Sequence, residues 1–193
     1  YAGAENKANW CFSKKGAMRI FLFESTVDLI EMKDEIRSIF NVGKHSIHIN
    51  DTHEETLELA EYLFNENGIC FLNSMVHNDL SWFGKLFSHY QTWLNESEYK
   101  KEGFCIDGSG TLAAFGIRDV RDLDFLYFGC DVPYTGFKEI DCHNSEHQHK
   151  GLFPDEIIYD PRNHFFFSSF KFVSIHLIRA LKVRRGELKD RDD

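Results

Sequence analysis

Gly108-Ser109 and Asp122-Leu123-Asp124 are the residues of this chain whose types and spacing suit chemistry. Glycine lets a backbone approach a bound group closely, and Ser109 adds a hydroxyl. Amides opening the next helix would face an anion, which makes the turn a candidate phosphate cradle. Asp122 and Asp124 are two apart, and on a strand that spacing puts both carboxylates on one face. Converging carboxylates repel unless a cation lies between them, and an all-oxygen site suits Mg2+ or Mn2+. Such an ion bridges nucleotide phosphates and neutralises charge as a phosphoryl or glycosyl bond breaks. A third carboxylate on an adjacent strand would complete the site. In "EIDCHN" Asp141 is the candidate, and Glu139, on the same face, is the reserve. The competing reading is an ordinary turn followed by a solvated strand end. Against it, the apolar run "FLYF" follows the pair at once and must be buried.

These residues need a strand, turn, helix and strand to hold them. "FCID" (104–107) reads as the first strand, "SGTLAAFGI" as a turn and short helix, and "DLDFLYFG" (122–129) as the second strand. "FKEIDCHN" (137–144) alternates and reads as a third. Upstream, "MRIFLFES" (18–25), "KHSIHIN" (44–50) and "ICFLN" (69–73) read as strands. Helices are expected over 26–40, 51–68 and 80–99, the second capped by Asp51 or Thr52 and stopped by Gly68. The region 145–170 reads as irregular, and 170–193 as a terminal helix. The expected fold is α/β to α+β: a mixed sheet flanked by helices, with an N-terminal β-α-β-α-β segment. A soft boundary near residue 100 would separate an N-terminal α/β lobe (1–100) from a core (101–193).

The stretch "GSGTLAAFGIRDVRDLDF" resembles the signature of the nucleotidyltransferase-fold superfamily: Gly-Ser, about a dozen residues, then Asp-x-Asp on the next strand. Its Gly-Thr, Arg and Asp-x-Asp order is similar to the phosphocholine-transferase and fukutin-like branch, which modifies cell-surface glycans. "KFVSIHLIRALKVRRGELKDRDD" resembles the basic helix that closes the core in bacterial relatives. The resemblance covers about 104–193. It implies that Gly108 and Ser109 contact nucleotide phosphates and that Asp122 and Asp124 hold Mg2+ or Mn2+. It also implies Asp141 as a third catalytic acid, Arg118 near the phosphates and Lys182 facing the site, with Lys171 a weaker candidate. The implied activity is transfer of a phospho-, nucleotidyl or glycosyl group from a nucleotide-activated donor, in surface-polysaccharide or glycan synthesis. Arg121, directly before Asp122, departs from the small or acidic residue usual there. Two other readings stay open. One is a nucleotide-sugar glycosyltransferase using the same Asp-x-Asp, with its nucleotide lying across 18–73. The other is a non-catalytic module whose degenerate site binds a nucleotide or a protein.

Composition narrows the partners. Nineteen phenylalanines and 42% hydrophobic residues supply a sizeable core and exclude a disordered chain. A net charge of -9 opposes binding to long nucleic acid, because phosphate backbones need a basic field. A small-molecule donor and a glycan or small-molecule acceptor are the expected partners. The five cysteines are odd in number and widely spaced, as in a reducing compartment. No apolar run approaches a membrane span and no signal pattern opens the chain, so a cytoplasmic location is expected. "CHNSEHQH" (142–149) invites a zinc reading through Cys142, His143, His147 and His149, against the plainer reading of a solvated loop or lid. His45, His48, Asp51 and His53 read as structural or capping residues, with Asn50-Asp51-Thr52 as an alternative polar-group turn.

Overall fold

The computed structural model describes residues 2–11, 17–41 and 43–186. Contacts divide the chain into two units, Tyr1–Thr56 and Leu57–Asp193, and the expected boundary near residue 100 falls inside the second. The described residues form a mixed α/β structure with nine α-helices and one five-stranded sheet. None of those helices is long and apolar enough to cross a membrane.

The first unit holds α1 (Ala2–Cys11) and α2 (Leu29–Phe40), and α3 (His53–Leu63) begins in it. The Asp28 carboxylate caps α2 by accepting from the amides of Ile30 at 2.9 Å and Glu31 at 3.0 Å. Thr52 caps α3 through its hydroxyl, which accepts from the Glu55 amide at 3.1 Å. The strands expected at 18–25 and 44–50 are absent: the first stretch is unpaired, and the second opens in a short 3-10 turn, Gly43–His45. The apolar side chains of Phe21 and Leu22 are exposed, so β-forming composition there finds no neighbouring strand to pair with. Asn50, Asp51 and Thr52 are engaged internally, with Thr56, Lys33 and the Glu55 amide respectively.

In the second unit, Asn65 interrupts the helix expected over 51–68 and starts α4 (Glu66–Ser74), accepting from the Asn67 and Gly68 amides. Gly68 is therefore not a stop. A side chain there would meet the Tyr62 carbonyl oxygen at 2.3 Å, so glycine lets α4 turn off against the end of α3. "ICFLN", expected as a strand, lies within α4 and drives Phe71 into the core, stacked on Phe165 at 4.7 Å. Helix α5 (Ser81–Glu96) matches expectation, burying Phe83, Leu86, Phe87, Tyr90 and Leu94 along one stripe.

The sheet contains β1 (Phe104–Ile106), β2 (Leu123–Tyr127), β3 (Ile140–Cys142), β4 (His164–Phe167) and β5 (Phe170–Val173), in the order β3-β2-β1-β5-β4. β1 pairs antiparallel with β2 and parallel with β5, β2 pairs parallel with β3, and β4 and β5 form a hairpin. One face carries Phe104, Ile106, Leu123, Phe125 and Phe172 against the α5 stripe. The other carries Cys105, Leu126 and Val173 against α6 (Ser109–Ala114), α8 (Pro154–Tyr159) and α9 (Ile175–Arg185). The region expected to be irregular holds α7 (His147–Lys150), α8 and β4. The terminal helix is shorter than expected, because 170–173 form β5, and 187–193 lie outside the described residues. Lys171 is thus a strand residue, its ammonium donating to the carbonyls of Glu102 and Ile158, both at 2.8 Å.

The loop joining α6 to β2 is held by α5. Leu80, at the start of α5, offers no side-chain cap, and Asp119 supplies one from the loop. Its carboxylate accepts from the amides of Phe83 at 2.7 Å and Trp82 at 3.2 Å, while the Trp82 indole donates to the Arg121 carbonyl at 3.1 Å. Burial pushes the Asp119 carboxyl up, but its amide contacts outweigh that and hold it below the usual carboxylate range. Asp119→Ala should lower unfolding stability by about 1–2 kcal/mol, read as an earlier denaturant midpoint at unchanged slope. A depressed carboxyl stabilises only while ionised, so wild type should lose this advantage as pH falls through the folded-state value.

Candidate functional site

Strand register assembles the candidate residues. Pairing Leu123 with Ile140 and Asp124 with Asp141 sets those two aspartates side by side on neighbouring parallel strands, about 4.8 Å apart. Asp124 shares the face of Leu126, opposite the aromatic face of Leu123 and Phe125, and Asp122 lies in the bend just before β2, near enough for its charge to act on Asp124. Glu139 precedes β3, where its carbonyl accepts from the Leu123 amide at 2.8 Å. Asp141 is therefore the acid that the sheet aligns with Asp124.

The Gly-Ser turn abuts this row. Gly108 has φ +59°, and a side chain on it would come within 2.9 Å of the Asp124 carboxylate oxygen. Only glycine lets the turn pass so close to that carboxylate. The Ser109 hydroxyl donates to the Asp122 carbonyl at 3.3 Å, tying the start of α6 to the start of β2. Thr111, wholly buried, donates to the Val173 carbonyl at 3.0 Å and fixes α6 on the sheet. The structure thus brings together Gly108, Ser109, Asp122, Asp124 and Asp141. Arg118 lies half-buried on the α6–β2 loop and donates to the Asp119 carbonyl at 3.2 Å. Lys182 lies half-buried toward the end of α9.

Three further residues complete the cluster. Asp107 follows β1, and its amide donates to the Asp124 carbonyl at 2.8 Å, extending the ladder by one pair. Its side chain is wholly buried and faces Lys150 at 2.7 Å and His143 at 3.2 Å. His143 also approaches Asp124 at 3.8 Å. The only sequence signal for Asp107 is an acid at the end of an apolar run beside the Gly-Ser turn. Lys150 carries none, lying in a segment that reads as irregular. The zinc reading of His143 meets a geometric obstacle: Cys142 packs against the aromatic layer, whereas the adjacent His143 turns to Asp107. The His147 side chain lies outside the described residues.

Charge is unevenly distributed. Burial pushes the Asp124 carboxyl up to about 6; His143 opposes the shift, and the negative charges of Asp122, Asp107 and Asp141 add to it. Burial also pushes Asp107 up, but the contacts with His143 and Lys150 outweigh it and leave that carboxyl below its usual range. Burial lowers His143, and Asp107 and Asp124 more than offset this, so the imidazole is a stronger base than usual. The donors are hard oxygens suited to a divalent cation, and a cation would relieve the crowding at Asp124. Among the described residues, no group of three or more His, Cys, Asp or Glu side chains is arranged to hold a metal ion.

Comparison with family models, with curated proteins and with solved structures finds no match for the chain.

Asp124 is protonated more readily in the folded chain than in the unfolded one. Its contribution to stability is full below the ordinary value of 3.8 and is lost as pH rises through about 6. Asp124→Asn should therefore melt at a higher temperature than wild type near neutral pH in chelator, a gain of order 1–3 kcal/mol. The gain should vanish in acid, as followed by thermal unfolding across the pH range.

Proposed function

We propose that this chain is a divalent-cation-dependent transferase acting on a nucleotide-activated donor, in the manner of the nucleotidyltransferase fold. One observation carries the reading. Asp141 stands in register with Asp124, and the Gly108-Ser109 turn closes against the Asp124 carboxylate and the Asp122 carbonyl. In this reading Asp122 and Asp124 would hold Mg2+ or Mn2+, and a bound ion would supply the positive charge that offsets the donor phosphates during transfer. Gly108 lets the backbone approach those phosphates. Asp141, beside Asp124, would accept a proton from the acceptor hydroxyl. The donated group is phospho-, nucleotidyl or glycosyl, and the acceptor is a glycan or small molecule, in keeping with the chain's negative charge.

The glycosyltransferase alternative loses the feature that favoured it, since no strand lies in 18–73 among the described residues. A non-catalytic module binding a nucleotide or protein is the second reading. The absence of three ligating side chains arranged around one point among the described residues favours it.

Calorimetry with Mg2+ and a panel of CTP, UTP, ATP, CDP-alcohols and nucleotide sugars separates the two. The transferase reading expects Mg2+-dependent binding of at least one compound, and turnover when an acceptor is supplied. Asp122→Asn and Asp124→Asn should each weaken that binding at least tenfold and abolish turnover. Metal-independent binding, or turnover undiminished in both variants, would overturn it.

A further inference from the structure

We infer that residues 18–24 are a self-association surface: they pair antiparallel, as a strand, with the same residues of a second copy of this chain. The inference is independent of the acid cluster.

This stretch has the composition of a strand and no strand to pair with. Every residue from 17 to 28 is exposed, and Met18, Ile20, Phe21, Leu22, Phe23 and Val27 are among them. Phe21 is 77% exposed and Leu22 68%. Scattered exposed apolar residues are ordinary, whereas four in a row on a surface call for a partner. Residues 17–24 belong to no helix or strand, and among the described residues none of their backbone groups joins a backbone hydrogen bond. Free N–H and C=O groups beside apolar side chains are a template for another strand.

The ends of the run identify that strand. Arg19 and Glu24, both exposed, flank Ile20-Phe21-Leu22-Phe23. Laid antiparallel on its own copy, the run has a register that opposes Phe21 to Leu22, Ile20 to Phe23 and Arg19 to Glu24. A two-fold axis repeats each pair, so the contact is self-complementary. Opposed residues share a face, and every pair is then apolar with apolar or cation with anion. Sliding by one residue sets Arg19 against Phe23 in one direction and Ile20 against Glu24 in the other. Parallel pairing in register sets Arg19 beside Arg19 and Glu24 beside Glu24. The charges thus select a second copy, in one direction and one register. Two short strands make a marginal ribbon, so the association is weak and follows concentration.

Sedimentation velocity on the full chain, from about 1 μM to about 1 mM, tests this. Reducing buffer excludes disulfide dimers through the exposed Cys11. Wild type should pass from monomer to dimer across the range. Arg19→Glu and Glu24→Arg each bring two like-charge pairs into the ribbon and should each weaken the dimer at least about fivefold. Both should melt with the wild-type transition at the lowest concentration, where all are monomers. Combining Arg19→Glu with Glu24→Arg restores the opposite-charge pairs and should recover the dimer. A wild type that stays monomeric throughout would leave the stretch to a different chain and overturn the inference. Single reversals without effect, or a double variant as weak as the singles, would overturn it too.

Discussion

The register between β1 and β2 is the constraint on which the site depends. Side chains alternate along a strand, so slipping β2 by one residue would bring Asp122 and Asp124 into the aromatic layer and push Leu123 and Phe125 out. Leu123 and Phe125 are both wholly buried, which makes that exchange prohibitive. The aromatic packing on one face thus holds the carboxylates on the other. Phe125 touches Tyr90, Trp93 and Phe104, with ring centroids between 5.6 and 5.8 Å, so the anchoring contacts come from α5 as well as from β1. The short β3 inherits its register from β2, and the alignment of Asp141 follows.

A site fixed in this way concentrates like charge. Asp107, Asp122, Asp124 and Asp141 lie on three adjacent strands or just beyond their ends, and the chain divides their electrostatics in two. The buried half, Asp107, is answered by Lys150 and His143 and stays ionised. The other half is answered only in part: burial first, and then the charges of Asp122, Asp107 and Asp141 against the opposing His143, make Asp124 hold its proton more tightly. An unrelieved carboxylate cluster destabilises a fold, and its persistence is the kind of local penalty that functional sites carry.

Much of the site was legible because its signals are local. Asp122 and Asp124 precede "FLYF", and that run has to be a buried strand; Gly108-Ser109 sits a short helix away. The third acid needed the structure, since Asp141 and Glu139 share a periodicity and only the pairing of Asp124 with Asp141 separates them. Lys150 was illegible for another reason: it is a surface residue type whose burial is decided by a partner 43 positions away. The fold misreadings have the same origin. "ICFLN" has the composition of a strand, but the cap at Asn65 had already committed the chain to a helix. "HFFF" and "FKFV" carry too little alternation to announce a hairpin, and Ser168 and Ser169 at its turn both adopt positive φ without a glycine to mark it.

The dozen residues between the Gly-Ser turn and the Asp-x-Asp strand are more than a spacer. Val76 and Asn78, just before α5, bond to the carbonyls of Phe115 and Gly116, and Asp119 returns the contact by capping α5. Gly116 has φ +75°, and a side chain there would strike the Val76 carbonyl oxygen at 1.8 Å, so the crossing closes only around glycine. The chain leaves α6 at one end of the sheet and must re-enter as β2 beside β1, antiparallel to it. The anchors along α5 fix where that return begins. Asp119 ties the loop to α5, and the Asp122 carbonyl ties its end to Ser109. The spacing of the motif is therefore set by the distance the loop must travel past the start of α5. This accounts in structural terms for why the two halves of the site sit where they do in the sequence.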